Sequence, residues 1–332
     1  MPAPLRQNAR VLLIRLSALG DVLFALETLA SLKRERPDVA VDFLVEDRFA
    51  GVLQGHPQIE RVLVFPRRRK LAVLGALLRL RATAYDAVLD LHGNLKSALQ
   101  VACSRSPTKL GFAPPAAREG AWRVYTRAVT LPVPLPHRAD RGHALLRELG
   151  LSGAPAAPLL PAPAQPVQVW PASPAPRVAL HPGTSAFAPF KRWPVANFAA
   201  LAQRLGAAGW AVGVSFGPGE EAFFAAIAAL APGVLPIPGK ELGLLGLAAA
   251  YRQARVVVAA DTGPLHLAAA AGTRVVALFG PKDPALYGPR GPGHRVLWHE
   301  TPCRPCGLRD CPAPVCVLGI GVDEVAEAVR AE

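Results

Sequence analysis

Four short stretches bring together residue types that can hold or move charge. In DTGPLH, Asp261, Thr262, Gly263 and His266 follow the apolar run RVVVAA, and Pro264 sits where a helix would open. A helix starting there offers unpaired N–H groups and the positive end of its dipole to an anion. Thr262 or Gly263 can cap it, and Gly263 lets a ligand approach the backbone, although a well-capped helix with a satisfied aspartate would use the same residues. In HPGTSAFAPFKRWP (181–194), Thr184 and Ser185 offer hydroxyl donors and Lys191 and Arg192 follow on a loop bounded by Gly and Pro. That set suits a diphosphate whose charge grows as it leaves. In RLSALGDV (15–22), the small residues Ser17, Ala18 and Gly20 leave room for a substrate beside Asp21, a carboxylate able to take a proton from a hydroxyl. A helix start lowers a carboxylate's pKa, so burial has to offset that effect for Asp21 to serve as an effective base. The fourth stretch spaces Cys303, Cys306, Cys311 and Cys316 as C-x2-C-x4-C-x4-C. Four thiolates could hold structural zinc, but only one C-x-x-C knuckle is present, and unliganded thiols are the ordinary alternative.

Residues placed this way need strands and helices that deliver them. Short runs rich in Val, Ile and Leu alternate with longer stretches of helical spacing, the pattern of βαβ units and a parallel sheet. Residues 9–16 read as a buried strand, 21–37 as a helix closed by a basic last turn and Pro37, and 39–45 as the next strand. A strand at 61–65, a basic helix over about 67–82, a strand within 85–93 and a helix from about Asn94 continue the series. Between Leu149 and Arg177 proline is too frequent for a regular element. The alternation then restarts, with strands expected within 177–183, 209–219, 255–261 and 273–281 and helices near 195–208, up to 230, 241–252 and 264–271. The expected fold is α/β, with two Rossmann-like, doubly wound domains. They cover residues 1–155 and 177–332, joined by a Pro-rich linker over 156–176, and the second ends in the Cys-rich tail and a terminal helix. Ligands gather beyond the carboxyl ends of strands in such sheets, and Asp21, Thr184 and Asp261 all fall there.

A chain of 332 residues, 51% hydrophobic and 18% charged, can bury two cores. Its formal charge of +13 draws an anionic partner from a distance: nucleic acid, a phosphorylated small molecule or an acidic membrane surface. The stretch PRRRKLAVLGALLRLRA, with Arg67, Arg68, Arg69, Lys70, Arg79 and Arg81, could face such a substrate or form a solvated helix face. No G-x-x-x-x-G-K-[ST] is present and no clean G-x-G-x-x-G follows a strand, which weakens nucleotide-triphosphatase and dinucleotide readings. The N-terminal apolar stretch is broken by Arg15 and Asp21, so it does not read as a secretory signal. A cytosolic protein is expected, in which cysteines are thiols or metal ligands.

Together these stretches resemble the lipopolysaccharide heptosyltransferases, the ADP-heptose-using family of GT-B glycosyltransferases, over nearly the whole chain. RLSALGDV is similar to that family's N-terminal R-x-S-x-x-G-D motif, HPGTS with KRWP to its central motif, and DTGPLHLA with FGPKDP to its C-terminal signature. The resemblance implies two Rossmann-like domains facing a central cleft, with the acceptor on the first and the sugar nucleotide on the second. It implies inverting transfer of a heptose from ADP-heptose to the Kdo/heptose inner core of lipopolysaccharide, with Asp21 as general base and Lys191 stabilising the leaving diphosphate. Thr184, Ser185, Lys191, Glu220, Asp261, Thr262, Gly263 and His266 would form the nucleotide-sugar site. Ser17, Gly20, Arg67, Arg68, His92 and Lys96 would lie on the acceptor side.

No metal cofactor would be required. The partners would be ADP-heptose and Kdo-lipid A or a growing core, met by a monomer at the cytoplasmic face of the inner membrane, with no nucleic acid. His92 stands where the family commonly shows Gln, Lys282 replaces a usual small hydroxyl residue, and a Gly-His-His that often accompanies the cysteine run is missing. The alternatives are a GT-B transferase using another sugar nucleotide and acceptor, and, in a different class, a basic nucleic-acid-binding protein. Stabilisation by ADP but not UDP or GDP separates the first, and steeply salt-dependent binding to duplex DNA would mark the second.

Overall fold

The computed structural model describes residues 5–66, 70–185, 187–308 and 310–331, without the side chains of 70–72. The chain forms two compact units, Met1–Pro161 and Ala162–Glu332. The first runs β1 (Arg10–Ile14), α1 (Leu19–Glu35), β2 (Ala40–Glu46), α2 (Asp47–Ala50), β3 (Arg61–Phe65) and α3 (Lys70–Ala82). It continues with β4 (Ala87–Asp90), α4 (Leu95–Cys103), β5 (Thr108–Phe112), β6 (Arg127–Val129) and α5 (Arg138–Arg147). The six strands are parallel in the order β3-β2-β1-β4-β5-β6. From β1 the chain winds outward one way to β2 and β3, then returns to β4 on the other side of β1. Ile14 is level with Asp90 in the ladder, so the loops leaving β1 and β4 emerge side by side at this switch point.

The second unit runs β7 (Arg177–His181), a 3-10 turn (Pro189–Lys191), α6 (Val195–Ala207), β8 (Ala211–Phe216), α7 (Glu221–Leu230), β9 (Leu235–Pro238) and α8 (Gly239–Arg252). Then come β10 (Val256–Ala260), α9 (Gly263–Ala270), β11 (Arg274–Leu278), α10 (Pro284–Tyr287), β12 (Arg295–Leu297), α11 (Val315–Leu318) and α12 (Val322–Arg330). Its parallel order is β12-β11-β10-β7-β8-β9, with the switch between β7 and β10. The central strands bury both faces, as the unbroken apolar runs of β1, β4, β7 and β10 predict.

Several elements lie outside the sequence expectation. Strands β6, β9 and β12 are sheet-edge strands of three or four residues, and β9 carries Pro236 and Pro238, which an edge tolerates because no partner needs their missing N–H. Helix α5 was also unforeseen. It packs so closely on α1 that a Cβ at Gly142 would stand 1.9 Å from Thr28 Oγ1, an approach only glycine permits. The expected basic helix begins at Lys70, and Arg67, Arg68 and Arg69 lie outside the described residues.

The Pro-rich stretch has no regular element, and the division between units falls inside it, at Pro161. Its first part is tied to the first unit, where Arg34 donates to the carbonyls of Ala154 and Pro155. Its second part belongs to the other unit, where buried Trp170 donates Nε1–H to Ala250 O at 2.9 Å.

Candidate active site

At the first switch point, the β1–α1 loop and the β4–α4 loop meet the start of α5 around a small recess. Arg15, Asp21, His92, Arg138 and Arg141 line it. Arg15 is buried; it donates to Leu91 O and places Nη2 2.6 Å from Asp21 Oδ2. Arg138 Nη1 is 3.9 Å from Asp21 Oδ1. About a quarter of the Asp21 side chain remains exposed. Burial pushes the Asp21 carboxyl up, but the charges of Arg15 and Arg138 and the Arg15 hydrogen bond outweigh it, and the net shift is downward. Burial therefore does not offset the forces that hold Asp21 ionised, contrary to what an effective base in the free protein requires.

The β4–α4 loop is held by the buried Asp90, which accepts from His92 N at 2.8 Å, Gly93 N at 3.1 Å, Ser97 Oγ at 2.7 Å and Tyr125 OH at 2.8 Å. Asn94 and Ser97 then close a capping box on α4. This fixes His92 against the recess, where burial and the nearby Arg15 charge push its imidazole down to about 3, so it is neutral at physiological pH. Its buried Nδ1 has no hydrogen-bond partner among the described residues. Lys96 Nζ donates to Glu46 Oε1 at 2.7 Å, Arg48 pairs with the other oxygen at 3.2 Å, and the Lys96 charge also helps to hold His92 neutral. Ser17 is partly exposed in the β1–α1 loop, whereas Gly20 is buried in the first turn of α1.

At the second switch point, β7, β8 and β10 deliver their loops to one cluster. Trp193 anchors the KRWP segment: it is fully buried, donates Nε1–H to Ile320 O at 2.9 Å and lies edge-on to Phe198 at 4.9 Å. That anchor sets the two residues before it. Arg192 donates to Thr184 Oγ1 at 3.2 Å while its guanidinium lies over Phe223 at 4.3 Å. Lys191 pairs with Asp261 Oδ2, and His266 Nε2 stands 3.5 Å from Oδ1 of the same carboxylate. Burial raises the Asp261 pKa, but His266 and Lys191 overcome this and bring it to about 2.

Thr262 occupies the N-cap of α9, yet its Oγ1 donates to Ala260 O at 3.1 Å and caps nothing; the helix opens at Gly263, with Pro264 second. Thr262 thus holds the expected N-cap position but does not cap through its side chain. The helix's first N–H groups take no side-chain cap from Thr262, which suits an anion. Thr184 is buried, Ser185 is exposed, and Glu220 lies directly over Gly183, beside Thr184 in the chain.

Zinc is not supported at the cysteine tail. Among the described residues no group of three or more His, Cys, Asp or Glu is arranged to hold a metal ion. Cys316 is buried in α11, Cys303 is exposed with Sγ 3.4 Å from Thr301 Oγ1, and Cys306 Sγ accepts from Leu308 N at 3.4 Å.

Sequence reasoning missed Arg138 and Arg141, whereas Arg15, the nearer partner of Asp21, lies in the same motif. A signal was present: two arginines in the first turn of a helix oppose its dipole, which a separate requirement must justify.

Two Rossmann-like sheets, each with a polar cluster at its switch point, have the architecture of a glycosyltransferase of the GT-B class. Residues 76–316 match the family model described as glycosyltransferase family 9 (heptosyltransferase). The chain is similar to lipopolysaccharide heptosyltransferase 1 of Pseudomonas aeruginosa, 32% identical over 91% of this chain and 87% of the relative. It is 30% identical to lipopolysaccharide heptosyltransferase 1 of Escherichia coli K12, over 86% of this chain and 92% of that one. Among solved structures, the E. coli heptosyltransferase WaaC with ADP-2-deoxy-2-fluoro heptose matches with a TM-score of 0.76 at 26% identity, covering 96% of this chain and 98% of that one. The chain belongs to glycosyltransferase family 9, the heptosyltransferases.

Proposed function

We propose that the chain transfers a heptose from ADP-heptose to an anionic sugar of the lipopolysaccharide inner core, Kdo or an attached heptose, with inversion. The observation that carries this reading is the recess of the first unit, where Arg15, Arg138 and Arg141 surround the single carboxylate of Asp21. Its volume, ≈ 20 Å³, suits a water-sized group and not a sugar ring, so the acceptor would insert one oxygen and leave its ring outside. The acceptor hydroxyl oxygen attacks the anomeric carbon, the bond from that carbon to the diphosphate oxygen breaks, ADP leaves with the electron pair, and the hydroxyl proton passes to Asp21.

Held ionised by its arginines, Asp21 is a weak base until something raises its pKa. An acceptor carboxylate or phosphate binding beside Arg138 and Arg141 supplies that: it competes for their charge and adds a negative neighbour, both of which push the Asp21 pKa up. In the second unit, Lys191, Thr184, Ser185, Thr262, Gly263 and His266 would hold the diphosphate, with Asp261 orienting Lys191 and His266, and Glu220 would meet the nucleoside. The relatives named for lipopolysaccharide and the solved relative carrying an ADP-sugar support this donor.

No helix of the described residues is long and apolar enough to cross a membrane. Exposed Leu74 and Leu78 of α3 and Leu95 and Leu99 of α4, on a unit rich in arginine, support peripheral association with the inner-membrane face. The deciding experiment incubates the chain with Kdo-lipid A and ADP-, UDP- or GDP-linked sugars, following nucleotide release and lipid mass. ADP release with a heptose-sized mass gain is expected from ADP-heptose alone. Turnover of a UDP- or GDP-sugar instead would replace the donor assignment.

A further inference from the structure

Glu220 takes a different kind of partner from Asp261. Its Oε2 accepts from Gly217 N at 2.7 Å and lies 3.8 Å from His181 Nε2, longer than a hydrogen bond but close enough for the charge to be felt. A Cβ added at Gly183 would stand 2.2–2.4 Å from the carboxylate atoms, so the carboxylate rests flat on the backbone of the turn after β7. Behind it, His181 Nδ1 is 3.0 Å from Ser215 Oγ, and Ser215 Oγ is 2.8 Å from Tyr251 OH. All three side chains are buried, and they come from β7, β8 and α8.

Polar groups buried in a sheet core are costly unless each is satisfied, which limits how this chain can be wired. An ionised carboxylate faces His181 Nε2, so that nitrogen carries the proton. Nδ1 then accepts from Ser215 O–H, and Ser215 Oγ accepts from Tyr251 O–H. The Leu180 carbonyl, 3.3 Å from Ser215 Oγ, is the longer competing acceptor. Burial lowers the proton affinity of His181, so the imidazole is neutral and acts by orientation.

We propose that Tyr251, Ser215 and His181 form a buried relay that presents Glu220 to the cis-diol of the donor nucleoside, making His181 a positioning residue for donor binding. This rests on the reading of the second unit as the donor site. With Oε2 engaged by Gly217 and facing His181, Oε1 is the oxygen left to accept from a ligand hydroxyl. His181 touches neither the sugar nor the diphosphate and should govern affinity for the nucleoside while leaving the transfer step alone.

The test compares binding of ADP and 2′,3′-dideoxy-ADP to the full-length chain by calorimetry, with donor KM and kcat measured in parallel. The unsubstituted chain should prefer ADP by about tenfold or more. Glu220→Gln and His181→Leu should each erase most of that preference, and the double variant should lose no more than either alone. His181→Gln, which keeps an N–H donor, should recover part of it. Donor KM should rise in His181→Leu while kcat at saturation stays within about twofold. A preference retained in Glu220→Gln would remove the nucleoside from Glu220 and with it the donor reading of this cluster. A preference lost in Glu220→Gln but retained in His181→Leu, with melting unchanged, would overturn the relay alone. If His181→Leu does not fold, Tyr251→Phe decides: it deletes one oxygen from the same chain, and an undiminished preference there would overturn the relay too.

Discussion

Both units place a carboxylate at the switch point of a parallel sheet, yet they surround it differently. Asp21 shares its recess with Arg15, Arg138 and Arg141, so guanidinium groups outnumber carboxylates there. Asp261 has Lys191, and Arg192 and Glu220 add one charge of each sign, so the second cluster is close to neutral and offers hydroxyls and helix N–H groups instead. The same asymmetry runs through the sequence: residues 1–161 contain 23 Lys and Arg against 13 Asp and Glu, and residues 162–332 contain 14 against 11. Guanidinium groups gathered at a partly buried recess attract an incoming anion. A balanced cluster recognises its ligand by where donors point. The difference suits the proposed roles, selection by charge in the first unit and by geometry in the second.

The largest effect that tests this division comes from Asp21→Asn. It keeps the shape of the recess but removes the proton acceptor, so kcat should fall roughly a thousandfold while ADP binding, measured by calorimetry, stays unchanged. Transfer at the normal rate would end the assignment of the base. Next in size is Lys191→Ala, which should cost roughly a hundredfold in kcat and weaken ADP binding, leaving the affinity for acceptor alone. If acceptor binding weakened equally, the two units would not have separate tasks.

Arg138→Gln should act more gently and in a characteristic direction. Removing a cation beside Asp21 favours the protonated carboxyl, so the acid limb of the kcat/KM profile should move to higher pH, and the acceptor KM should rise a few-fold. Raising ionic strength should mimic the KM effect for acceptor more than for donor, since Arg138 is partly exposed and screened by salt. A fixed acid limb would show that Arg138 does not tune Asp21.

The motif residues were legible because each follows an apolar run, and such a run ends at the carboxyl edge of a strand. Asp21, Thr184, Asp261 and the two-sheet fold could therefore be placed before any coordinates. Arg15, Lys191 and His266, which pair with these carboxylates, lie in the same motifs, but Arg138 does not. Arg138 lies 117 positions from Asp21, and it meets Asp21 because Gly142 lets α5 close on α1. His181, Ser215 and Tyr251 look like ordinary core punctuation one at a time and become a relay only once β7, β8 and α8 are packed. The edge strands were invisible for the opposite reason. Half-exposed and short, β6, β9 and β12 do not need the apolar run that signals a buried strand. The cysteine spacing left zinc and free thiols both open, because it says nothing about which thiol the core takes.

The smallest expected effect concerns stability in acid and separates the two carboxylates by their surroundings. The Asp261 carboxyl is held at about 2 against an ordinary value of 3.8. A depressed folded-state pKa means that folding favours the charged form. The contribution is full above the ordinary value and is lost as pH falls from near 4 through about 2, amounting to roughly 2 kcal/mol. Unfolding by urea, followed through the fluorescence of buried Trp193, should therefore show the second unit weakening over that interval. Asp261→Asn should flatten that dependence, and Lys191→Met should shift it to higher pH by removing a cation that keeps Asp261 ionised. An Asp261→Asn chain whose stability still fell as steeply would mean that the balanced charges of the second cluster add nothing to folding, and the contrast with the cation-rich recess would then rest on ligand binding alone.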